Sequence, residues 1–304
     1  MVGSDVVTSM RQRLGRVGTW LGSLQSASAD QSRQAARQIE QLGYGSVFSG
    51  ERIGGKEAFA HQSLLLAATE RIVTGTGIAN VWSRHAATMQ AGADTLEAGY
   101  PGRFILGIGI SHAPMVDGSG QHYEKPLAHM VHYLDQMDAA RAAMTHSEVP
   151  APRILAALRP RMLELARDRA DGAHPYFVPP AHTAAAREIL GPDKLLIPEQ
   201  AVVLSTRPDE ARAIARTHMK LYLTLPNYVN NLRHLGYGDE DLSAGGSDRL
   251  VDAIVAWGDE GAIDRRVQEH ISGGADHVVL QPLGDLDSAL EQLAALAPTL
   301  IPPH

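Results

Sequence analysis

The chain contains no cysteine. Disulfides, thiolate metal sites and a cysteine nucleophile are therefore excluded, whatever the compartment. Lysine is nearly as scarce: only Lys56, Lys125, Lys194 and Lys220 occur. None lies at the end of an expected strand, which removes the nucleophile of a Schiff-base aldolase. Lysine and arginine never gather into a run, and the balance of 27 basic against 34 acidic residues gives a net charge of −7. The basic stripe that a nucleic-acid backbone needs is missing. No segment approaches the ~18 consecutive apolar residues of a membrane span, and "MVGSDVVTSMRQRLGRVG" has no apolar core of signal-peptide length. The expectation is a cytoplasmic protein with no nucleic-acid and no membrane partner.

A 44% hydrophobic, 20% charged chain of 304 residues can fill a sizeable core. Its length suits a (β/α)8 barrel, which runs to roughly 250 residues or more. Short apolar or β-branched runs alternate with stretches of helical periodicity, the pattern of parallel strands joined by crossover helices. Eight such runs are "RVGTWL" (16–21), "GSVFSG" (45–50), "IVTGTGIANV" (72–81), "RFILGIG" (103–109), "RILAAL" (153–158), "AHPYFV" (173–178), "QAVVLS" (200–205) and "DHVVLQP" (276–282). Between the first two, Ala35, Ile39 and Leu42 share one helical face ahead of a terminating glycine. The reading is one α/β domain over 1–304, a (β/α)8 TIM barrel. Insertions follow strand 4 (113–152) and strand 7 (207–275), as lids, pocket walls or oligomer contacts.

"RFILGIGISHAP", residues 103–114, admits three readings. As a dinucleotide turn it fails, because after Gly107 and Gly109 the third glycine position holds His112. As a nucleophile elbow, Gly109-Ile110-Ser111-His112-Ala113 is a tolerable variant with Asp276 and His277 late in the chain. An elbow serine must lead into a helix, however, and Pro114 with "DGSG" is expected to prevent one. The third reading is the carboxyl end of a barrel strand, where glycines let a flat ligand approach the backbone. "GTGIAN" on the preceding strand repeats the feature. A metal face from His129, His132 and Asp135 is less favoured than a solvated or interfacial helix face, and no metal is expected.

"GYGSVFSGE", "LLAATERIVTGTGIANVWSRHAATMQAGADTLEAGYPGRFILGIGISHAP" and "ILAALRPRMLELARDRADGAHPYFVPPAHTAAAREILGPD" resemble the luciferase-like flavin and deazaflavin oxidoreductases, in the branch that uses coenzyme F-420. The resemblance covers most of the chain to about residue 205. It implies a bacterial-luciferase-like barrel, a deazaflavin across its carboxyl face, and hydride transfer at the cofactor's C5, with the chain acting as a reductase of a small organic molecule. FMN, and a monooxygenase reaction, is the alternative; a barrel that only binds cofactor is a third. It further implies a cis peptide at Gly77–Ile78, a ring contact from Asn80, and cofactor contacts from Gly109, Ile110, Ser111 and Ala113. Glu51 falls where the family has an acidic residue and His112 where relatives have glutamate, which makes them the candidate catalytic groups. Arg52 departs from the histidine base of alcohol-oxidising relatives. The partners expected are a small-molecule substrate and a second copy in a homodimer.

The turn after the fifth run can be read physically. Pro160 suits a helix start, where Arg159 and Arg161 meet the positive end of the dipole. A docked anion would resolve that conflict, and the resemblance places the cofactor phosphate there, beside Ala157 and Leu158. The alternative is a solvated Arg161 paired with Glu164.

Overall fold

The computed structural model describes residues 2–143 and 149–301. Its eleven strands are β1 (Val17–Trp20), β2 (Ser46–Ser49), β3 (Val73–Thr76), β4 (Ala79–Asn80), β5 (Phe104–Gly109), β6 (Arg153–Leu155), β7 (Gly172–Ala173), β8 (Leu195–Leu196), β9 (Glu199–Val203), β10 (Val255–Trp257) and β11 (Val278–Pro282). They form a curled sheet in the order β10-β9-β11-β1-β2-β3-β5-β6-β7-β8, with β4 on β5. Every paired ladder is parallel. The protein is thus an α/β fold on a curled parallel sheet with crossover helices. The run 195–203, interrupted at Pro198, touches both ends of the curl. On one side Leu195, Ile197 and Glu199 donate their N–H groups to the carbonyls of Asp171, Ala173 and Pro175 at 2.8, 3.0 and 2.9 Å. On the other, Asp276 and Val279 donate to Leu196 and Pro198 at 2.9 and 3.0 Å.

The N-terminal helix, Val2–Leu14, buries Val7, Met10 and Leu14 against Phe48, Ile105, Ile154, Leu195, Ile197 and Val279. This set draws one residue from each of β2, β5, β6 and β11 and two, alternating, from the run 195–203. Outside, helix Ala29–Gln41 shows how the sequence encodes its elements. Ser28 and Gln31 form a reciprocal capping box at 3.1 and 2.8 Å. Ala35 and Ile39 are buried, and Gly43 at φ +90° ends the turn.

Three expectations change. "AHPYFV" is a strand only at its first residue, in β7; Pro175 lacks an N–H and Phe177 takes φ +60°, so the chain leaves the ladder. The short strands β8 and β10 carry too little periodicity to be legible. Lastly, a helix does follow His112, Ala113–Asp117, with Pro114 in its first turn, where proline costs nothing because that N–H has no helical partner. Of the stretch 113–152, residues 126–143 form a further helix and 144–148 lie outside the described residues. The stretch 207–275 contains helices 208–222, 226–234, 239–242 and 248–254, then β10 and helix 260–272. No helix among the described residues is long and apolar enough to cross a membrane.

Candidate functional site at the carboxyl ends of the strands

Between β3 and β4 the Gly77–Ile78 peptide is cis. The bulge is held from three sides. Gly77 N–H donates to Ser49 O at 2.8 Å, Trp20 Nε1 donates to Gly77 O at 2.9 Å, and Glu51 N–H donates to Ile78 O at 3.0 Å. A Cβ on Gly77 would lie 2.4 Å from Trp20 Nε1 and 3.1 Å from His174 Nε2, so this position admits only glycine without rearrangement. The glycines of β5 have a steric reason within the sheet. A Cβ on Gly107 would sit 2.0 Å from Thr76 O, and one on Gly109 would sit 2.4 Å from Ile78 Cγ1. They make room for the neighbouring strand and its bulge.

Asn80 sits on β4 opposite Gly109. Its Oδ1 accepts from Trp82 N at 3.1 Å, and its side-chain nitrogen makes no hydrogen bond among the described residues. Asn80 and Gly109 are thus neighbours on adjacent strands, and Ala156, just after β6, lies on the other side of Gly109, where an added Cβ would approach its Cβ to 3.3 Å. Ile110 O accepts from Trp82 Nε1 at 2.8 Å, and Trp82 stacks on His129 with centroids 4.0 Å apart. His129 is thus a packing residue, and Asp135 is paired with Arg169.

Glu51 is placed at the bulge, where its N–H holds the Ile78 carbonyl. Its carboxylate accepts Asn80 N–H at 2.7 Å and both terminal nitrogens of Arg84, with side chains only 4% and 8% exposed. Both carboxylate oxygens are thus engaged, in a two-point pair with the guanidinium that ties the end of β2 to β4.

Ser111 has φ +59° and precedes the new short helix, so the backbone does resemble an elbow. Its hydroxyl, however, contacts no histidine among the described residues. His277 is spent deep in the fold on Ser46 Oγ (2.7 Å) and Gly15 O (3.0 Å), and Asp276 on Arg11 and Arg187. A serine without a base is not an activated nucleophile. His112 is half-buried beside it. Its Nδ1 donates to Asn227 Oδ1 at 3.1 Å, which leaves Nε2 as a lone-pair acceptor. Burial pushes its pKa below 6.5, with the Asn227 bond opposing, so the ring is neutral near pH 7.

After β6, Ala157 is buried and Leu158 partly so. Arg159 caps helix Pro160–Arg169 with no side-chain bond to its N–H groups. Among the described residues Arg159 and Arg161 are exposed and make no ion pair, so the Arg161–Glu164 pair does not form. Beside them His182 donates from Nε2 to Leu158 O at 2.6 Å, and its buried Nδ1, a lone-pair acceptor in that tautomer, has no partner among the described residues.

Sequence reasoning missed the wall facing the bulge. Trp20 packs on Tyr176 (5.2 Å), Tyr176 on Tyr222 (5.3 Å), Tyr222 edge-on to Tyr228 (5.2 Å), and Tyr228 on His112 (5.3 Å). Tyr176 hydroxyl donates to Gln281 Oε1 at 2.8 Å and accepts from Tyr222 at 2.7 Å. Beneath it Glu199 accepts Phe177 N–H at 3.0 Å, its other oxygen is buried without a partner, and desolvation pushes its pKa up to about 8. His174 donates to Ile197 O at 2.6 Å. The one available signal was the aromatic density of "HPYF"; nothing local links it to Tyr222 or Gln281. A separate cavity of about 390 Å³ at the amino ends of the strands is lined by Arg153, Arg169 and Asp138, whose charges pair with one another.

Fold and site together define an α/β protein whose curled parallel sheet carries a backbone bulge at Gly77–Ile78 beside an aromatic wall. The family model described as luciferase-like monooxygenase matches residues 13–277, and the chain belongs to that family. It is similar to 5,10-methylenetetrahydromethanopterin reductase of Methanolobus tindarius, 26% identical over 153 residues, 45% of this chain and 47% of that one. The chain thus aligns with about half the length of that relative. An F-420-dependent secondary alcohol dehydrogenase, solved with an F-420-acetone adduct, superposes with a TM-score of 0.75 at 14% identity, covering 95% of this chain and all of the other. The FMN-bound oxygenating constituent of 3,6-diketocamphane monooxygenase of Pseudomonas putida gives 0.64 at 13% identity over 95% of this chain and 100% of that one. At these identities the solved structures share the fold.

Proposed function

We propose that the chain is a coenzyme F-420-dependent oxidoreductase, its curl an eight-unit barrel joined along residues 195–203, exchanging hydride with a small organic substrate. The observation that carries it is the pairing of a ring-sized bulge, Gly77–Ile78 with Asn80, with an uncapped helix start bearing two unpaired arginines. The groups present fit the cofactor. Ile78 would back the ring and the free amide nitrogen of Asn80 would donate to its polar edge, with Gly109, Ile110, Ser111 and Ala113 lining that edge. The N–H groups behind Arg159, with Arg161, would receive its phosphodiester. When bound, the deazaflavin supplies a hydride donor or acceptor at C5.

The protein's own contribution is positional and protonic. Trp20, Ser49 and Glu51 fix the bulge. Neutral His112, held by Asn227, presents Nε2 to the cleft, where it accepts a substrate proton as hydride leaves and returns it in the reverse direction. A reductase must first charge His112 against its burial, so a neutral ring suits the oxidative half better. FMN is the second reading, favoured by the fold shared with an FMN-bound monooxygenase. Titration of purified protein with F-420 and FMN tests the choice: at least tenfold tighter F-420, about 1.4 kcal/mol, is expected, and tighter FMN overturns it.

A further inference from the structure

Arg52 follows Glu51, whose N–H holds the Ile78 carbonyl, so it stands at the rim of the bulge. It is exposed and makes no hydrogen bond or ion pair through its side chain among the described residues. The two carboxylates nearest in sequence cannot neutralise it, because Arg84 takes both Glu51 and Glu57. Across the cleft, Tyr222 is near enough for the guanidinium charge to favour its ionised form against burial. Glu199, behind that wall, is buried, and desolvation disfavours its negative charge. The guanidinium of Arg52 is left without a carboxylate partner among the described residues, at the rim of the bulge beside the aromatic wall.

The hydroxyl chain adds a direction. Gln281 Oε1 can only accept, so Tyr176 donates to it and Tyr222 donates to Tyr176. The hydrogen of Tyr222 is committed inward, and its oxygen offers the cleft a lone pair. His112 Nε2 offers another. An anion would be turned from these acceptors toward Arg52, the sole cationic donor of this set, whereas a hydroxyl would be drawn to them.

Resting on the oxidoreductase reading, we infer that the substrate is a small hydroxycarboxylate, its carboxylate paired with Arg52 and its hydroxyl donating to the acceptors of the aromatic wall. Guanidinium and carboxylate match as a two-point pair, and the rings of Tyr222 and Tyr228 give the carbon frame an apolar bed.

The test is calorimetric titration of the protein, in the presence of F-420, with mandelate and lactate and with mandelamide and lactamide. At least one acid is expected to bind tenfold or more tighter than its amide. Arg52→Gln should abolish that preference while leaving F-420 affinity and melting temperature within error of the parent. Equal affinity of acid and amide in both pairs, no binding of either acid, or a preference that survives Arg52→Gln overturns the anion site. If Arg52→Gln instead weakens F-420, the arginine serves the cofactor and the inference falls. Failure of F-420 to bind, with the acid preference intact and lost in Arg52→Gln, would overturn the cofactor reading alone.

Discussion

Ile78 and Gly109 compete for one volume: a Cβ on Gly109 would approach Cγ1 of Ile78 to 2.4 Å and Cδ1 to 2.6 Å. The bulge exists in its present position because the adjacent strand has no side chain there. Gly109→Ala should cost about 1–3 kcal/mol, the usual penalty of forcing atoms into a packed site. It should also weaken F-420 binding by displacing Ile78. Urea unfolding and cofactor titration measure the two effects, and an alanine variant with parental values for both removes the steric account.

Glu51 and Arg84 form a buried pair. Arg84→Met leaves the carboxylate without its guanidinium and should lose about 3–5 kcal/mol. Glu51→Gln keeps an acceptor for Asn80 N–H, so the pH dependence of turnover should keep its shape even if stability falls. A profile that loses a limb in Glu51→Gln would make Glu51 a proton-transfer group.

His112→Phe retains a ring against Tyr228 and deletes both nitrogens. Turnover is expected to fall roughly 100-fold, the scale of general acid–base help, with F-420 affinity little changed. In the parent, the oxidative rate should rise with pH through the His112 pKa, which lies below 6.5, and level off above it. That limb should vanish in the variant. Turnover lost only in proportion to lost cofactor binding would make His112 a binding residue.

Acid should unfold this protein early. Burial pushes His61, His174, His218 and His277 down to about 4 and His270 to about 3. The folded state then binds fewer protons than the unfolded one below pH 6.5. Their contribution is complete above 6.5 and is lost as pH falls toward the folded values. Glu199, raised to about 8, has the opposite sign: its preference for the fold is full at low pH and fades as pH rises toward 8. With His112, His129 and His182 lowered in the same direction and, among the described residues, only Glu97 and Glu199 raised on the other side, the melting temperature is expected to drop steadily from pH 6.5 to 4; a flat profile there would show that the histidines are hydrated or charged in the fold.

The sequence by itself determined the alternation of strands and helices, because inward and outward residues repeat every two positions in a strand and about every 3.6 in a helix, and both signals are local. It also determined the cluster Gly77 to Asn80, Gly109 to Ala113 and Arg159, because adjacent parallel strands bring their carboxyl ends together once their order is known. Tertiary structure alone decided what those residues could do. The engagement of Glu51 depends on Arg84, 33 positions away, and the tautomer of His112 on Asn227, 115 positions away. The aromatic wall joins Trp20, Tyr176, Tyr222 and Gln281, which no periodicity relates. Whether a carboxylate or an imidazole is free, charged or buried is set by its neighbours in space, and burial and hydrogen bonding shift proton affinity only after the chain has folded.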